Sequence, residues 1–435
     1  MTEEENILQT YKVDNDYRLV RLKGKTCSVF LKNKQNQMIA SLEGCQNEFT
    51  QIRLFNDKPL TEREKRYLLS YIRAKKSSVS GDIANVLGVS VVKYEDGREE
   101  YLSEEHLRKR IATGIDFAKI YVGHLSVHHL EIPDDVKNCT YYFENAEVSK
   151  LTIGENCQAS FDFRDNEFIE TIIVGEHFSG SILLSRSSVE SLFIEDNCHM
   201  DLTINEAKKC FNIKIGDLFS GHVNISGSCL YALDIGYYSY AEFLLSDNMI
   251  KKEIVIGDSF RGDFYAVDQV MDLMKIGQDC KGQVKISGQN QEKKPCKVEV
   301  GDDFNGHLNL NGDKSVDVIY LGRKGGGKLD ASHADNLKNI TVGKDYSGKM
   351  NLDGSSVKHI TVARGAKGRV NFYDCSDLKF LKATVDNKLF LDSNLPLQKV
   401  RRHENSIYYD FMKSTHAEDL PFYKRLYETL SNRWN

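Results

Sequence analysis

The sequence predicts a mainly β protein, a right-handed β-solenoid or leucine-rich-repeat-like rod of about 11–12 coils. Three observations predict it. Units of 20–21 residues recur through the middle of the chain, and four apolar columns keep register across those units. The third is composition: 40% hydrophobic and 28% charged residues with only five prolines suit a globular fold with a long continuous core.

Position zero of successive units falls at Gly154, Gly175, Glu195, Gly216, Gly236, Gly257, Gly277, Gly301, Gly322, Gly343 and Ala363. The steps are 21, 20, 21, 20, 21, 20, 24, 21, 21 and 20 residues. One and three residues before zero run the columns Ile153 to Val362 and Leu151 to Ile360; seven and nine after run Phe161 to Val370 and Phe163 to Phe372. None of the four holds a polar residue. Each apolar-x-apolar pair marks a short strand whose alternate side chains turn inward. Two such strands cannot bury an apolar face alone, but stacked coils bury it continuously.

The glycines fit the same frame. At zero, glycine suits a left-handed or crowded turn that ends strand one, and at plus five (Gly221, Gly262, Gly306, Gly348) it opens strand two. The plus-three column mixes Phe178, Phe219, Phe260, Phe304 and Tyr346 with Cys157, Cys198 and Cys280. Cysteines that share a column with aromatics are expected to be buried corner residues.

Two segments carry a family resemblance. "VHHLEIPDDV" places Val127, Leu130, Ile132, Pro133 and Val136 one period before Gly154, and "VKHITVARGAKGRVNFYDCSDLKFL" carries Val357, Ile360, Val362, Cys375 and Leu378. Both resemble leucine-rich repeats of the BspA-like class, whose units look like LxxIxIPxxV followed by a short apolar strand and C-x-x-L. The resemblance covers residues 113–390. Here glycine replaces proline in most units, Cys375 is nearly alone in its slot, and the units run about two residues shorter than is usual in the family. The resemblance implies a binding or adhesion module, in a family whose members are often exported.

Residues 1–112 do not follow the repeat and predict a small α+β domain that also covers the first coil. Its strands lie in "YRLVRLKGKTCSVFLKN" and "QMIASLEG", with hairpin turns at Lys23–Lys25 and Asn33–Gln37. Thr61 caps a helix over "EREKRYLLSYIRAKK", and Ser103 begins a second, "EEHLRKRIA". Residues 113–390 form the repeat domain and 391–435 a C-terminal cap. The cap's helix is placed at Glu418–Arg433, with Leu420, Tyr423, Leu426, Tyr427 and Leu430 on one face. Such a helix covers the last coil or docks a partner.

Composition narrows the function. A net charge of −5 gives no reason to expect nucleic acid. No run approaches the ~18 apolar residues of a membrane span. The start, MTEEENILQTYKV, is acidic and has no apolar signal core. Ten cysteines without a C-x-x-C read as reduced thiols. A cytoplasmic protein is expected, with export by a route lacking a cleavable signal peptide as the alternative.

Several stretches of the repeat offer candidate sites. "YLGRKGGGKLD" sets Gly322, Gly327 and Lys328 at the spacing of a phosphate-binding loop. Leu329 stands where a metal-holding hydroxyl belongs, and a strand follows where a helix is needed. The stretch therefore reads as one more coil, with Gly325 leaving the plus-three slot empty. His124, His128, His129 and Glu131 are metal-ligand types, but strand and turn do not bring them together as a helix would. The plus-one column is acidic at Glu155, Glu176, Asp196, Asp217, Asp258 and Asp302, then basic at Arg323, Lys344 and Arg364. That edge is read as a solvated turn, with a docking edge or divalent-ion binding as the functional versions. Asp162 and Asp330 share the outward plus-eight column but lie eight coils apart, too far for paired-carboxylate catalysis.

No catalytic, metal or cofactor-binding residue is assigned, and no cofactor is expected. The outward column two before zero offers the better surface, and Ile173, Phe193, Lys214, Val255, Lys275 and Tyr320 are its candidate partner-binding residues. The expected function is a non-enzymatic scaffold that recognises a protein through strand one. A carbohydrate-binding or carbohydrate-cleaving β-helix and a self-assembling solenoid are the alternatives; the pattern sets no oligomeric state.

Overall fold

The structure is a computed structural model. It describes residues 7–411 apart from 23–26, 46–47, 56–57, 123–124, 144–145, 208, 210, 289–295, 385, 394, 396 and 404–405. At 50% strand and 8% helix the fold is mainly β, a solenoid of about 12 turns. The chain divides into two compact units, 1–169 and 170–435.

The first unit opens with a sheet of six strands. Ile7–Lys12, Tyr17–Leu22, Cys27–Asn33, Met38–Cys45 and Glu48–Leu54 pair antiparallel in sequence order, and Ser78–Val79 adds a parallel edge. Asn33 and Gln37 close one hairpin as expected, with the Asn33 amide donating to the Gln37 carbonyl at 3.0 Å. The turn expected at Lys23–Lys25 lies outside the described residues. Helix Glu62–Lys75 begins at a reciprocal cap: the Glu64 amide donates to the Thr61 hydroxyl, and the Thr61 amide to the Glu64 carboxylate at 2.7 Å. Its Leu68 and Ile72 share a buried cluster with Leu31, Ala40 and Leu42 of the sheet. Helix Gly81–Leu87 was not anticipated; helix Glu104–Ala112 follows Ser103.

The hairpin of Ser90–Tyr94 and Glu99–Leu102 lies within 1–112, yet Ser90–Tyr94 pairs antiparallel with Ala118–Tyr121 and so joins a solenoid sheet. Its Val91 and Tyr101 belong to the same buried cluster as the six-stranded sheet. The small domain's core therefore extends to this hairpin, and Tyr121 of the first coil packs against it. Beyond the hairpin, Ala118–Tyr121, Lys137–Tyr142 and Gln158–Asp162 stack in parallel as second strands, and Ser126–Ile132 with Glu147–Ile153 as first strands.

The second unit is built of two ladders, strand ones from Thr171–Val174 to Phe380–Thr384 and strand twos from Ser179–Leu183 to Lys388–Asp392, all parallel. Across both units all four apolar columns are buried, none more exposed than Val300 at 6%. After the last coil the polarity changes: Ser406–Phe411 pairs antiparallel with Phe380–Thr384, and Leu397–His403 pairs antiparallel with Ser406–Phe411. The sequence showed only decay there, because the 20–21-residue period stops. The helix expected at Glu418–Arg433 lies outside the described residues.

Each coil turns through two corners. The left-handed residue of the first is not the glycine at zero but plus two: Asn156, His177, Asn197, Leu218, Tyr238, Ser259, Asp279, Asp303, Lys324, Asp345 and Gly365 have φ between 52 and 77°. That conformation costs a non-glycine residue about 1 kcal/mol. It also aims the amide at the neighbouring coil, as where Leu218 donates to Tyr237 O at 2.8 Å and Tyr238 to Asp258 O at 2.9 Å. Glycine stands at zero because of crowding instead. A β-carbon on Gly236 would lie 2.5 Å from the Gly216 carbonyl carbon.

Candidate recognition surface

Strand register brings the column two before zero onto one face. Ile173, Phe193, Lys214, Asp234, Val255, Lys275, Glu299 and Tyr320 are successive register partners, and Thr341 and Thr361 continue the line. Phe193 and Tyr320 are 38% and 40% exposed, large apolar side chains left open to solvent on a rigid sheet. Lys214 is exposed, while Ile173, Val255 and Lys275 are half-buried. Six coil steps separate Phe193 from Tyr320, roughly 29 Å at the parallel strand spacing.

The charges on this face are partly committed. Lys275 Nζ lies 2.7 Å from Glu253 Oε2, and this contact holds the Glu253 carboxyl below its ordinary range. Lys297 sits 4.6 Å above the Tyr320 ring and also pairs with Glu299. Around Phe193 the face is apolar with a neighbouring cation; around Tyr320 it is a ring under an ammonium group. All six residues expected at this surface thus lie on one ladder, in two separated patches.

The acidic edge resolves into structure. Asp134 accepts the Glu155 amide at 2.8 Å, Asp196 the Asp217 amide at 2.7 Å, Asp217 the Tyr237 amide at 2.8 Å, and Asp302 the Arg323 amide at 2.7 Å. Each carboxylate thereby ties one coil to the next. Arg323 also pairs with Asp302 through its guanidinium at 2.6 Å, so the change of sign along the edge is itself a bond. Among the described residues no three His, Cys, Asp or Glu side chains are placed to hold a metal ion. His129 stands beside Thr152 Oγ1 at 3.0 Å and Glu131 at 3.8 Å, and His124 lies outside the described residues.

The glycine stretch 325–327 is packed rather than open. The Tyr346 ring of the following coil occupies the space beside Gly325, where an added β-carbon would meet its Cε2 at 2.9 Å. The Tyr346 hydroxyl donates to Gly327 O at 3.0 Å, and a β-carbon on Gly327 would meet Phe304 Cδ1 at 2.8 Å. Two aromatic rings thus clamp the loop, Lys328 begins the strand Lys328–Asp330, and its ammonium pairs with Asp330 at 3.2 Å. The empty slot seen in the sequence is filled by a neighbour.

Cysteine in the plus-three column has a role that phenylalanine lacks. Cys157, Cys198 and Cys280 donate to the carbonyls of Pro133, Gly175 and Gly257 at 3.2, 3.4 and 3.5 Å, each at position zero of the preceding coil. Burial pushes the Cys198 and Cys280 thiols up to about 11, so they stay protonated donors. The carboxylates considered for catalysis are engaged as well. Asp162 forms a two-point pair with Arg164, and Asp330 accepts from Ser332 Oγ at 2.8 Å and Asn351 Nδ2 at 3.2 Å.

One surface escaped the sequence reading. Tyr237, Tyr238 and Tyr240 are 51%, 61% and 71% exposed at the first corner of their coil. The signal was present in "YYSY" (237–240), which puts tyrosine where neighbouring coils hold aspartate at plus one. Fold and surface together define a β-solenoid repeat protein with a continuous outward ladder. No protein-family model, curated protein or solved structure matches the chain.

Proposed function

We propose that the protein is a non-enzymatic repeat scaffold that recognises a protein partner through the outward face of strand one. The observation that carries this reading is the unbroken register ladder from Ile173 to Tyr320, which holds Phe193 and Tyr320 solvent-facing on a rigid sheet. Exposed aromatics on a pre-organised face bind at low ordering cost. The resemblance to BspA-like leucine-rich repeats supports a binding role, and buried, protonated thiols suit a reducing, cytoplasmic setting.

Phe193→Asp and Tyr320→Asp change residues whose side chains touch solvent, so the thermal midpoint is expected to stay within a few degrees. Affinity purification of the tagged protein from its native cells, followed by cross-linking mass spectrometry, should place a protein partner along the strand-one face. Either substitution is expected to lower recovery of that partner about tenfold or more. Equal recovery by the wild type and both variants would sink the assignment of this face.

A further inference from the structure

The tyrosine corner carries an inference that goes beyond the strand-one face. Tyr237 and Tyr238 form one end of a shallow recess of about 250 Å³ whose other walls include Asp258, Asp279 and Asp303 of the next three coils. These elements are fixed by the corner geometry, since Tyr238, Asp279 and Asp303 all occupy the left-handed plus-two position. Charge in the recess is uneven. Arg261 and Lys281 both pair with Asp279, at 3.1 and 3.9 Å, so that carboxylate is already matched by cations. Asp258 spends its oxygens on the amide and side chain of Gln278, at 2.9 and 3.1 Å, and has no ion-pair partner among the described residues. Asp303 is exposed, and among the described residues no side-chain hydrogen bond or ion pair engages its carboxylate.

Two carboxylates with no cation partner among the described residues, Asp258 and Asp303, stand beside two exposed phenol rings, an arrangement complementary to an organic cation. Aromatic faces attract ammonium and guanidinium groups, and fixed carboxylates add directional acceptors. A neutral sugar would stack on the rings but leave the charge unmatched. We propose that this recess binds the basic side chains of an extended peptide segment of a protein partner, with arginines or lysines at alternate residues.

The spacing supports an extended segment. Tyr238 and Asp303 are three coils apart, about 14 Å at the parallel strand spacing. Residues i and i+4 of an extended chain lie about 13 Å apart on one side. A peptide lying across the corners therefore sets one cation over the tyrosines and another at Asp303, with a third between them near Asp258. A single free cation reaches only one of these points.

The test uses the full chain and a fluorescent peptide, Arg-Ser-Arg-Ser-Arg, in 0.15 M salt, read by anisotropy. Tyr238→Asn and Asp303→Asn are the variants, because asparagine already occupies the same left-handed position at Asn156 and Asn197. Each variant is expected to weaken binding about tenfold and the pair more, with Glu-Ser-Glu-Ser-Glu and free arginine failing to compete. Phe193→Asp is expected to leave peptide binding unchanged, which separates this recess from the strand-one surface. Equal binding by both variants, or displacement of the peptide by maltohexaose or by free arginine, would overturn the proposal.

Discussion

Replacing Gly325 by phenylalanine, the commonest residue in its column, is expected to destabilise the protein by about 3 kcal/mol. Consensus alone argues the opposite, since four units carry phenylalanine there. The structure reverses the sign because the site is already occupied. Even a β-carbon on Gly325 would stand 2.9 Å from the Tyr346 ring and 3.0 Å from Phe304 O, and a whole phenyl ring has nowhere to go. Tyr346 cannot withdraw cheaply either, as it is buried and its hydroxyl bonds to Gly327 O. A double-mutant cycle in urea denaturation checks the mechanism. Tyr346→Ala alone should cost about 3–5 kcal/mol, and Gly325→Phe in that background should cost much less than it does alone. Strict additivity would mean the two residues do not share the space.

Asp313→Ala is expected to cost about 3 kcal/mol at neutral pH, with a dependence on acidity that identifies the cause. The Asp313 carboxylate is fully buried and accepts the amides of Ser315 at 2.8 Å, Val316 at 2.7 Å and Gly288 at 2.8 Å, and the Ser315 hydroxyl at 3.0 Å. Alanine leaves those amides unpaired in the core. Burial nevertheless raises the Asp313 carboxyl above its ordinary range, against the pull of these donors. The folded protein therefore takes up a proton at higher pH than the unfolded chain. Wild-type stability relative to Asp313→Ala should fall as pH rises from about 3.8 through the raised value and then level off. Denaturant midpoints of the two proteins measured at intervals from pH 4 to 8 test this. A difference that grows with rising pH would show that the donors, not burial, dominate.

Asp313 also shows what the sequence could and could not convey. In the unit of Gly154 the corresponding corner residue is Asn166, whose Oδ1 accepts the amides of Phe168 and Ile169 while Nδ2 donates to Phe143 O and Ala146 O. In the unit of Gly301 the previous corner presents an amide, Gly288, and the acceptor-only aspartate answers it. The pattern of inward residues was legible because apolar burial repeats with the period of the backbone, and every column residue from Leu151 to Phe372 is buried. The corners were not legible in the same way. Left-handed geometry at plus two is met by Asn, His, Leu, Tyr, Ser, Asp and Lys alike, since a hydrogen bond to the next coil offsets the strain.

The outward surface was half legible for a related reason. Alternation told which side chains of strand one leave the core, so Phe193 and Tyr320 were found. Pairings such as Lys297 over Tyr320 or Lys275 with Glu253 join residues about 20 positions apart and depend on rotamers, which no periodicity encodes. The tyrosine corner gives no such signal, because the periodicity marks strands and not turns. Its residues sit in turn columns, where polar identity varies freely and a run of tyrosines breaks no packing rule.

The unbroken register of the outward ladder gives the molecule the character of a ruler. Any two points on that face are separated by a whole number of strand spacings, about 4.8 Å each. Loss or gain of one unit in the genome, with its two strands and two corners intact, would slide Phe193 and Tyr320 toward or away from each other by one graduation. Affinity for a partner that grips both patches would then change in steps rather than smoothly, and selection could tune reach independently of the chemistry at either end.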